Sequence, residues 1–339
     1  MNPVKRSLNF FLLILSILVQ CTPKEHSVVL YCALDRNYAE PLINKFQDST
    51  GIAVQVVYDT EINKTVGLVN RIIAEKQRPQ CDIFWNNEII RTIILKNRGL
   101  LQPMSPTSGN DISPAFKDSH GYWYGFAARG RVIIYNKINL KNRAIPQSIQ
   151  ELANAHWRGR AAIAYPLFGT TATHFALLYD QWGEEKARHF FQCIVDNQIG
   201  ILDGNATVRD RVVTGDYDWG LTDTDDAHGA ILGGAPVRIV YPDQAEDGLG
   251  MPLIPNTVAM IKGAPHPEAA RKLADFILSP FVERELARGR SAQIPVRPDI
   301  EPPTGLAPLD GVRITVFDYN KTAGQITPAT QALQTIFSR

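Results

Sequence analysis

The sequence predicts an α/β fold of two lobes, each built around its own parallel-rich sheet. From Ser27 onward, short β-rich runs alternate with helical patterns, which is typical of βαβ units. This alternation occurs twice, once before Val132 and once after it. About 318 residues follow the N-terminal segment, which is more than one hydrophobic core usually covers.

The first lobe opens with three predicted strands and two helices. The strands are expected at Val28 to Cys32, Ala53 to Tyr58 and Asp82 to Trp85, and the helices at 37–50 and 65–76. Asn37 is the predicted helix cap with Glu40 as its capping-box partner, and Gly51 ends that helix. The three strands point their C-terminal ends at one edge, where open α/β sheets bind ligands.

The second lobe repeats this pattern. Its strands are expected at Ala161 to Tyr165, Ile199 to Leu202 and Trp219 to Thr222, with helices near 171–181, 184–196 and 207–214. Strands at 237–241 and 257–261 are predicted to return the chain to the first lobe. The expected boundaries are 27–130 with 237–290 for lobe one, and 131–236 with 291–339 for lobe two.

The N-terminus has the layout of an export signal over residues 1–21. Lys5 and Arg6 precede an apolar run that is too short to span a bilayer. The run ends at Leu18-Val19-Gln20-Cys21, which resembles a bacterial lipobox, although Gln20 replaces the usual small residue. We expect export to the periplasm or the outer face of the cell membrane, with Cys21 lipidated; plain cleavage is the alternative.

Composition excludes several classes of function. Hydrophobic residues at 45% and charged residues at 20% describe an ordinary globular protein, and a net charge of +1 argues against nucleic-acid binding. Three cysteines lie beyond the signal, so at least one is unpaired. Cys32 and Cys81 are predicted at opposite strand ends, too far apart to bridge, which predicts buried free thiols.

Lobe one offers polar side chains just after its strands. These are Tyr31, Glu61, Asn86, Asn87 and Glu88, with Asp59 and Thr60 beside Glu61. We interpret them as ligand-binding candidates because strand ends supply the cleft of such folds. Asn and Asp are equally common there as turn formers, which is the alternative.

Lobe two offers an anion site. Gly169-Thr170-Thr171 follows a strand and opens a helix, so its backbone N–H groups and positive helix end point outward. A simple helix cap is the alternative. Asn205 precedes another helix in the same way. Either Arg129 or Arg131 could bind a carboxylate or phosphate through both guanidinium nitrogens, and we expect the other arginine to face solvent or the lobe interface.

An acidic cluster follows the strand at Trp219. Asp223, Thr224, Asp225 and Asp226 could bind a cation, with Asp223 and Asp225 as metal ligands, or accept hydrogen bonds from an organic amine or hydroxyl. The alternative is an acidic helix N-terminus, where carboxylates interact favourably with the helix dipole.

The ordered set of segments resembles a known family, the class II periplasmic binding proteins, and within it the ferric-ion-binding branch. The resemblance covers nearly the whole mature chain. Its carriers are Val28 to Phe46 with Thr50-Gly51-Ile52, Cys81 to Trp85, Gly99-Leu100-Leu101, Arg129 to Asn136, Trp157-Arg158-Gly159 and Asn256 to Ala270.

This resemblance implies two lobes that are joined by crossover strands and close on a ligand. It implies an ABC permease and ATPase as partners, and a synergistic anion or phosphate held by the loop at Gly169-Thr170-Thr171. One departure concerns the ligand. The iron binders carry adjacent tyrosines where this chain reads Asp223-Thr224-Asp225-Asp226.

The predicted function is therefore the substrate-binding component of an ABC importer, a hinged monomer that is no enzyme and needs no cofactor. Ferric iron with a synergistic anion is the predicted transported ligand; a phosphorylated or zwitterionic organic solute is the alternative. An aspartate-dependent phosphotransferase is the alternative from another class, because Asp223-Thr224-Asp225 matches its paired aspartates. Asp223 lies too late in the chain for that enzyme, and no Ser/His/Asp or zinc-spaced set is evident in the sequence.

Overall fold

The computed structural model describes residues 27–59, 66–304 and 311–337, and within them the chain forms the predicted α/β architecture. The strands are β1 (Ser27–Cys32), β2 (Ala53–Tyr58), β3 (Ile83–Asn86), β4 (Leu101–Gln102), β5 (Tyr124–Asn136), β6 (Ala161–Ala164), β7 (Gly200–Leu202), β8 (Trp219–Asp223), β9 (Val237–Val240), β10 (Met251–Ile261) and β11 (Ile314–Thr315). The helices are α1 (Arg36–Thr50), α2 (Val66–Ala74), α3 (Ile90–Asn97), α4 (Gly169–Trp182), α5 (Glu184–Asp196), α6 (Asn205–Val213), α7 (Thr224–Leu232), α8 (Pro267–Ile277), α9 (Pro280–Arg288) and α10 (Tyr319–Phe337).

Lobe one is built on the strand order β2-β1-β3-β10-β5. The first three strands are parallel, and β10 runs antiparallel to both β3 and β5. A buried cluster that includes Trp85 and Phe126, with ring centroids 5.5 Å apart, packs this sheet against its helices. The parallel strands put the loops after β1 and β3 at one edge of the sheet.

Lobe two shares a strand with lobe one. The second half of β5, from Arg131 to Asn136, leaves β10 and pairs antiparallel with β8 and β9, and β6 and β7 continue the sheet in parallel. Near this crossing β5 approaches β10 closely, so a Cβ on Gly130 would collide with the Met251 side chain. The long strand therefore joins the two lobes, as the crossover interpretation expects.

Two local predictions about α1 have different outcomes. Gly51 ends the helix in the left-handed conformation, with φ of +68°, and its N–H donates to the Gln47 carbonyl, as predicted. The capping box is wrong: the helix begins at Arg36, and Glu40 pairs with Arg36 one turn away. The Glu40 side chain, which the capping box required, is therefore used in an i,i+4 ion pair instead.

The predicted lobe boundaries need two corrections. Strand β9, expected in lobe one, pairs with residues 133–136 of β5 in the lobe-two sheet. The segment near 291–297, expected in lobe two, packs on lobe one, where Ile294 bridges Ala128 and the buried Arg297 binds Glu283. Backbone pairing with β5 and a buried ion pair decide these placements, and neither leaves a local sequence signal.

The cysteine prediction is confirmed for the described residues. Cys32 and Cys81 are buried, Cys193 is half-buried, and none of the three forms a disulfide. The register places Leu30 opposite Ile83, so the two buried thiols lie well apart along their strands. Among the described helices, none is both long and apolar enough to cross a membrane. Cys21 and the signal segment lie outside the described residues.

Candidate functional site

A cavity of about 110 Å³ lies between the two lobes. Lobe two supplies most of its wall, at the ends of β6, β7 and β8, and lobe one supplies residues after β1 and β3 and in β5. Its lining includes Asp35, Asn87, Arg129, Tyr165, Phe168, Gly169, Thr170, Thr171, Asp203, Gly204, Asn205, Asp223, Asp225 and Asp226. The cavity therefore lies at the strand ends where ligands of α/β folds bind.

Three helices of lobe two begin at this cavity. α4 begins at Gly169, α6 at Asn205 and α7 at Thr224, and none of the three N-termini has a side-chain cap. The first N–H groups of a helix have no partner within it, and each helix start carries roughly half a positive charge. The three starts thus create a positive potential on one side of the cavity.

Arg131 lies behind this wall with no exposed surface and binds Asp223. Its Nη1 lies 2.5 Å from Asp223 Oδ1 and also donates to Thr170 and Asn205, while its Nη2 donates to Thr171. The other carboxylate oxygen, Asp223 Oδ2, accepts from Thr170 Oγ1 at 2.6 Å and from Asn205 Nδ2 at 2.9 Å. Both oxygens of this buried carboxylate are therefore held in place.

A second buried arginine connects the lobes. Arg129 Nε donates to Asp225 Oδ2 of lobe two at 2.8 Å, and its Nη1 donates to the Asn87 carbonyl of lobe one at 2.8 Å. Burial raises the pKa of Asp225, the Arg129 charge opposes that effect, and the neighbouring Asp223 adds to it. The Arg129 charge thus offsets only part of the combined effect of burial and Asp223 on the Asp225 carboxylate.

Lobe one supplies a smaller share of the cavity wall. Asp35 and Asn87 line it, and Tyr38 lies in the first turn of α1. Burial raises the pKa of the Tyr38 phenol, and the charges of Asp225, Asp226 and Asp35 raise it further. The carboxylates of Asp225 and Asp226 in lobe two are therefore close enough to act electrostatically on the Tyr38 phenol of lobe one.

Direct contacts hold the lobes together beside the cavity. Thr173 Oγ1 in α4 donates to Glu88 Oε2 at 2.8 Å, and Arg91 Nη2 in α3 donates to the Leu167 carbonyl at 3.1 Å. Together with Arg129, these bonds join the two walls of the cleft. Side chains of both lobes can thus contact one small ligand.

A family model for bacterial extracellular solute-binding proteins matches residues 41–307 of this chain. The chain belongs to this family. The Fe(3+)-binding periplasmic protein of Serratia marcescens is 26% identical over 204 residues, which are 60% of this chain but only 58% of that protein. Iron uptake protein A1 of Synechocystis sp. is 26% identical over 325 residues, 92% of this chain and 88% of that protein.

Solved structures agree with the fold of this solute-binding protein. Iron-bound HitA from Pseudomonas aeruginosa superposes with a TM-score of 0.82 at 22% identity, covering 92% of this chain and 99% of that one. AfuA from Actinobacillus pleuropneumoniae, with fructose-6-phosphate bound, gives 0.80 at 21% identity, covering 91% and 98%. The predicted class II binding-protein fold and the resemblance to the iron-binding branch are confirmed. The protein is the substrate-binding component of an ABC importer.

Nine of the predicted ligand-binding residues of the solute-binding protein line the cavity. They are Asn87, Arg129, Gly169, Thr170, Thr171, Asn205, Asp223, Asp225 and Asp226. Carboxylate oxygens of the last three residues lie within 4.8 Å of one another, close enough to share one metal ion. The assignment of Asp223 and Asp225 as the metal ligands stays a prediction. One of the two arginines was expected to face solvent or the lobe interface, and Arg129 lies at the lobe interface, where it binds Asp225 and the Asn87 carbonyl. Neither arginine faces solvent, since both are buried.

Five other predicted residues make internal contacts or support the site from behind. Tyr31 donates to Glu75 on the α2 side of its sheet, and Asn86 donates to Thr92. Glu88 caps α3 by accepting from the N–H groups of Ile90 and Arg91. Thr224 accepts from Gly130 N. Arg131 lies behind the wall, as described above, and Glu61 and Thr60 lie outside the described residues.

Several site residues of the solute-binding protein were missed in the sequence. Asp35 lines the cavity after β1, and Tyr165 and Asp203 line it after β6 and β7. Tyr38 follows Asp35 in α1, and the charges of Asp225 and Asp226 act on its phenol. Arg209 also contributes, since its Nη1 donates to Asp226 Oδ1 at 3.0 Å. The strand-end rule that selected Asn87 applies equally to Asp35 and Asp203, so it could have found them.

Proposed function

We propose that this protein captures ferric iron in the cleft between its lobes and delivers it to an ABC permease and ATPase. The observation that carries the proposal is the acidic wall of Asp225 and Asp226, which shares one small cavity with Asp35 and acts electrostatically on the Tyr38 phenol. Carboxylate and phenolate oxygens are hard donors, and a small, highly charged cation requires several of them.

The charge of the lining favours a cation. The cavity is lined by five aspartates, which are Asp35, Asp203, Asp223, Asp225 and Asp226, and by one arginine, Arg129. Even with Arg131 and Arg209 added, carboxylates outnumber guanidinium groups. Burial raises the pKa of Asp225, which is a cost that a bound cation would remove.

The size of the cavity favours a small ligand. The cavity measures about 110 Å³. Pockets for organic ligands usually measure about 300–1,000 Å³. A metal ion with its donor atoms fits the smaller volume. The names of the Serratia and Synechocystis relatives, both of which refer to iron, support the same ligand.

A compact phosphorylated or zwitterionic organic solute is the second candidate. The convergence of three helix starts favours it, because they suit a phosphate or carboxylate, while Asp226 and Asp35 could bind an amine. Asp225 also has an arginine partner already, and the chain has aspartates where iron binders of this branch have tyrosines. AfuA, whose structure contains fructose-6-phosphate, has the same fold.

One preparation separates the two candidates. The mature protein is purified without added metal or chelator, and the same sample is assayed for metals and, after denaturation, for released small molecules by mass spectrometry. Near-stoichiometric iron without an organic solute supports the first candidate. A stoichiometric organic solute without iron overturns it in favour of the second.

The remaining proposals concern location and assembly. The protein acts as a periplasmic monomer that binds no nucleic acid and performs no reaction on its ligand, and Cys21 anchors it to the membrane through lipid. Replacing Cys21 with serine should then move the protein from the membrane fraction to the soluble fraction. Unchanged fractionation would show that the anchor is absent.

A further inference from the structure

The buried carboxylate of Asp223 lies in a setting typical of a bound oxyanion. One oxygen accepts a hydrogen bond from the Arg131 guanidinium at 2.5 Å, and the other accepts hydrogen bonds from Thr170 Oγ1 at 2.6 Å and Asn205 Nδ2 at 2.9 Å. Thr170 lies in the first turn of α4, and Asn205 is the first residue of α6. Asp223 itself directly precedes α7. A single carboxylate therefore neutralises a guanidinium where three helices begin.

The donors around this carboxylate exceed what an ordinary ion pair needs. Arg131 has no exposed surface, and its Nε has no hydrogen-bond partner among the described residues, so its donors are not all used. Asn205 Oδ1 accepts from Arg131 and from Thr171, which fixes the orientation of the amide so that its Nδ2 donates to Asp223. The surrounding donors form a preorganised oxyanion cradle, defined here as Arg131, Thr170, Thr171 and Asn205.

We infer that Asp223 is a built-in anion that fills this oxyanion cradle. Two consequences follow. Removing the side chain turns the cradle into a receptor for a free oxyanion such as phosphate. The intact protein captures its ligand without an external anion, and this second consequence rests on the proposed function. The sequence predicted an external anion at Gly169-Thr170-Thr171, and Asp223 takes that role.

Truncation of Asp223 leaves space of the right size and charge. The backbone at Asp223 is extended, with φ of −101° and ψ of 157°, so alanine and glycine both fit there without strain. Asp223→Ala removes the carboxylate and Asp223→Gly removes the methylene as well, and the vacated space adjoins the existing cavity, which gives room for an oxyanion larger than a carboxylate. Arg131 would remain buried without a counter-ion, which strongly favours uptake of an anion.

The first experiment measures the thermal unfolding temperature of wild type and Asp223→Ala against inorganic phosphate, with chloride added to keep ionic strength constant. Asp223→Ala should unfold at a lower temperature without phosphate and recover several degrees as phosphate is added, because a ligand that binds only the native state stabilises it. Wild type should not respond. Asp223→Gly is the second variant in case alanine impairs folding.

Two controls assign the response to the cradle. The double variant Arg131→Met/Asp223→Ala lacks the buried cation and should lose the phosphate response. Asp111→Ala removes a carboxylate from another buried arginine, Arg297, which keeps Glu283 as its counter-ion, and should not respond. An equal phosphate response in wild type, or none in a folded Asp223→Ala or Asp223→Gly protein, overturns the inference.

The second experiment connects the cradle to iron. Wild type and Asp223→Ala are loaded with ferric nitrilotriacetate, with and without phosphate, and desalted before the iron is measured. Wild type should retain the same iron in both conditions, whereas Asp223→Ala should retain iron only with phosphate. Iron retention by wild type that requires phosphate overturns the built-in anion but leaves iron capture intact. A phosphate response in Asp223→Ala with no iron on wild type overturns iron capture alone.

Discussion

The two walls of the cleft differ in how their polar groups are held. On the lobe-two wall, Arg131, Asp223, Thr170 and Asn205 bind one another in a buried network. On the lobe-one wall, Asp35 and Tyr38 are only partly buried and face the other lobe. We expect lobe two to be preorganised before the ligand arrives and lobe one to complete the site when the cleft closes.

This difference predicts where mutations damage folding. Arg131→Met removes the counter-ion of a buried carboxylate, so the free energy of unfolding should fall by about 3–5 kcal/mol. Asp35→Asn, on the lobe-one wall, should leave it unchanged within error. Urea denaturation followed by circular dichroism measures both. A loss of similar size in the two variants would contradict the contrast between the walls.

A buried histidine next to the lobe-two network predicts a dependence on acid. Burial, and then the Arg131 charge, lowers the pKa of His174 well below its ordinary value, and neither ring nitrogen has a partner among the described residues. The unfolded chain takes up a proton near pH 6.5 while the native state does not. The free energy of unfolding is therefore highest above about pH 6.5 and decreases as the pH falls below it, by up to about 1.4 kcal/mol per pH unit.

The variant His174→Leu should reduce the slope of the unfolding free energy against pH by up to about 1.4 kcal/mol per pH unit between about pH 6.5 and 5. His156→Leu is the matched control, because His156 is exposed and should leave the slope unchanged. Urea denaturation of the three proteins across this pH range gives the slopes. Identical slopes in wild type and His174→Leu would show that His174 titrates normally in the native state.

The smallest expected effect lies on the lobe-one wall. Tyr38→Phe removes a phenol that faces Asp225 and Asp226, so ferric affinity should fall about tenfold, or about 1.4 kcal/mol, with folding stability unchanged. Tyr58→Phe is the control, since Tyr58 is also half-buried in lobe one but its phenol is influenced by Glu40 and Arg36 instead of Asp225 and Asp226. Competition against nitrilotriacetate measures the affinities. An unstable Tyr38→Phe protein would show that lobe one is preorganised too.

The sequence predicts local features of this fold well and distant pairings poorly. Alternating strand and helix patterns located most elements, and Gly51 marked the end of α1. The partner of β9 depends on backbone pairing with β5, a strand a hundred residues earlier in the chain, so its lobe was predicted wrongly. Hydrophobic pattern alone does not select one sheet over another when both offer an edge.

The same distinction applies to the site. Gly169-Thr170-Thr171 and Asp225 were found because a strand followed by a helix is a local signal. The pairing of Arg131 with Asp223 spans 92 residues and could not be inferred from either segment. Tyr31 was selected as a strand-end residue, but its side chain points toward Glu75, a direction that depends on the pleat and the neighbouring helix.

Iron retention tests the central claim most directly. Wild type and Asp226→Asn are incubated with ferric nitrilotriacetate, desalted, and analysed for iron by mass spectrometry. We predict that wild type keeps about one iron per chain and that Asp226→Asn, which loses a hard donor of the acidic wall, keeps far less. Absence of iron on wild type, or equal iron on both proteins, would contradict ferric capture by this cleft.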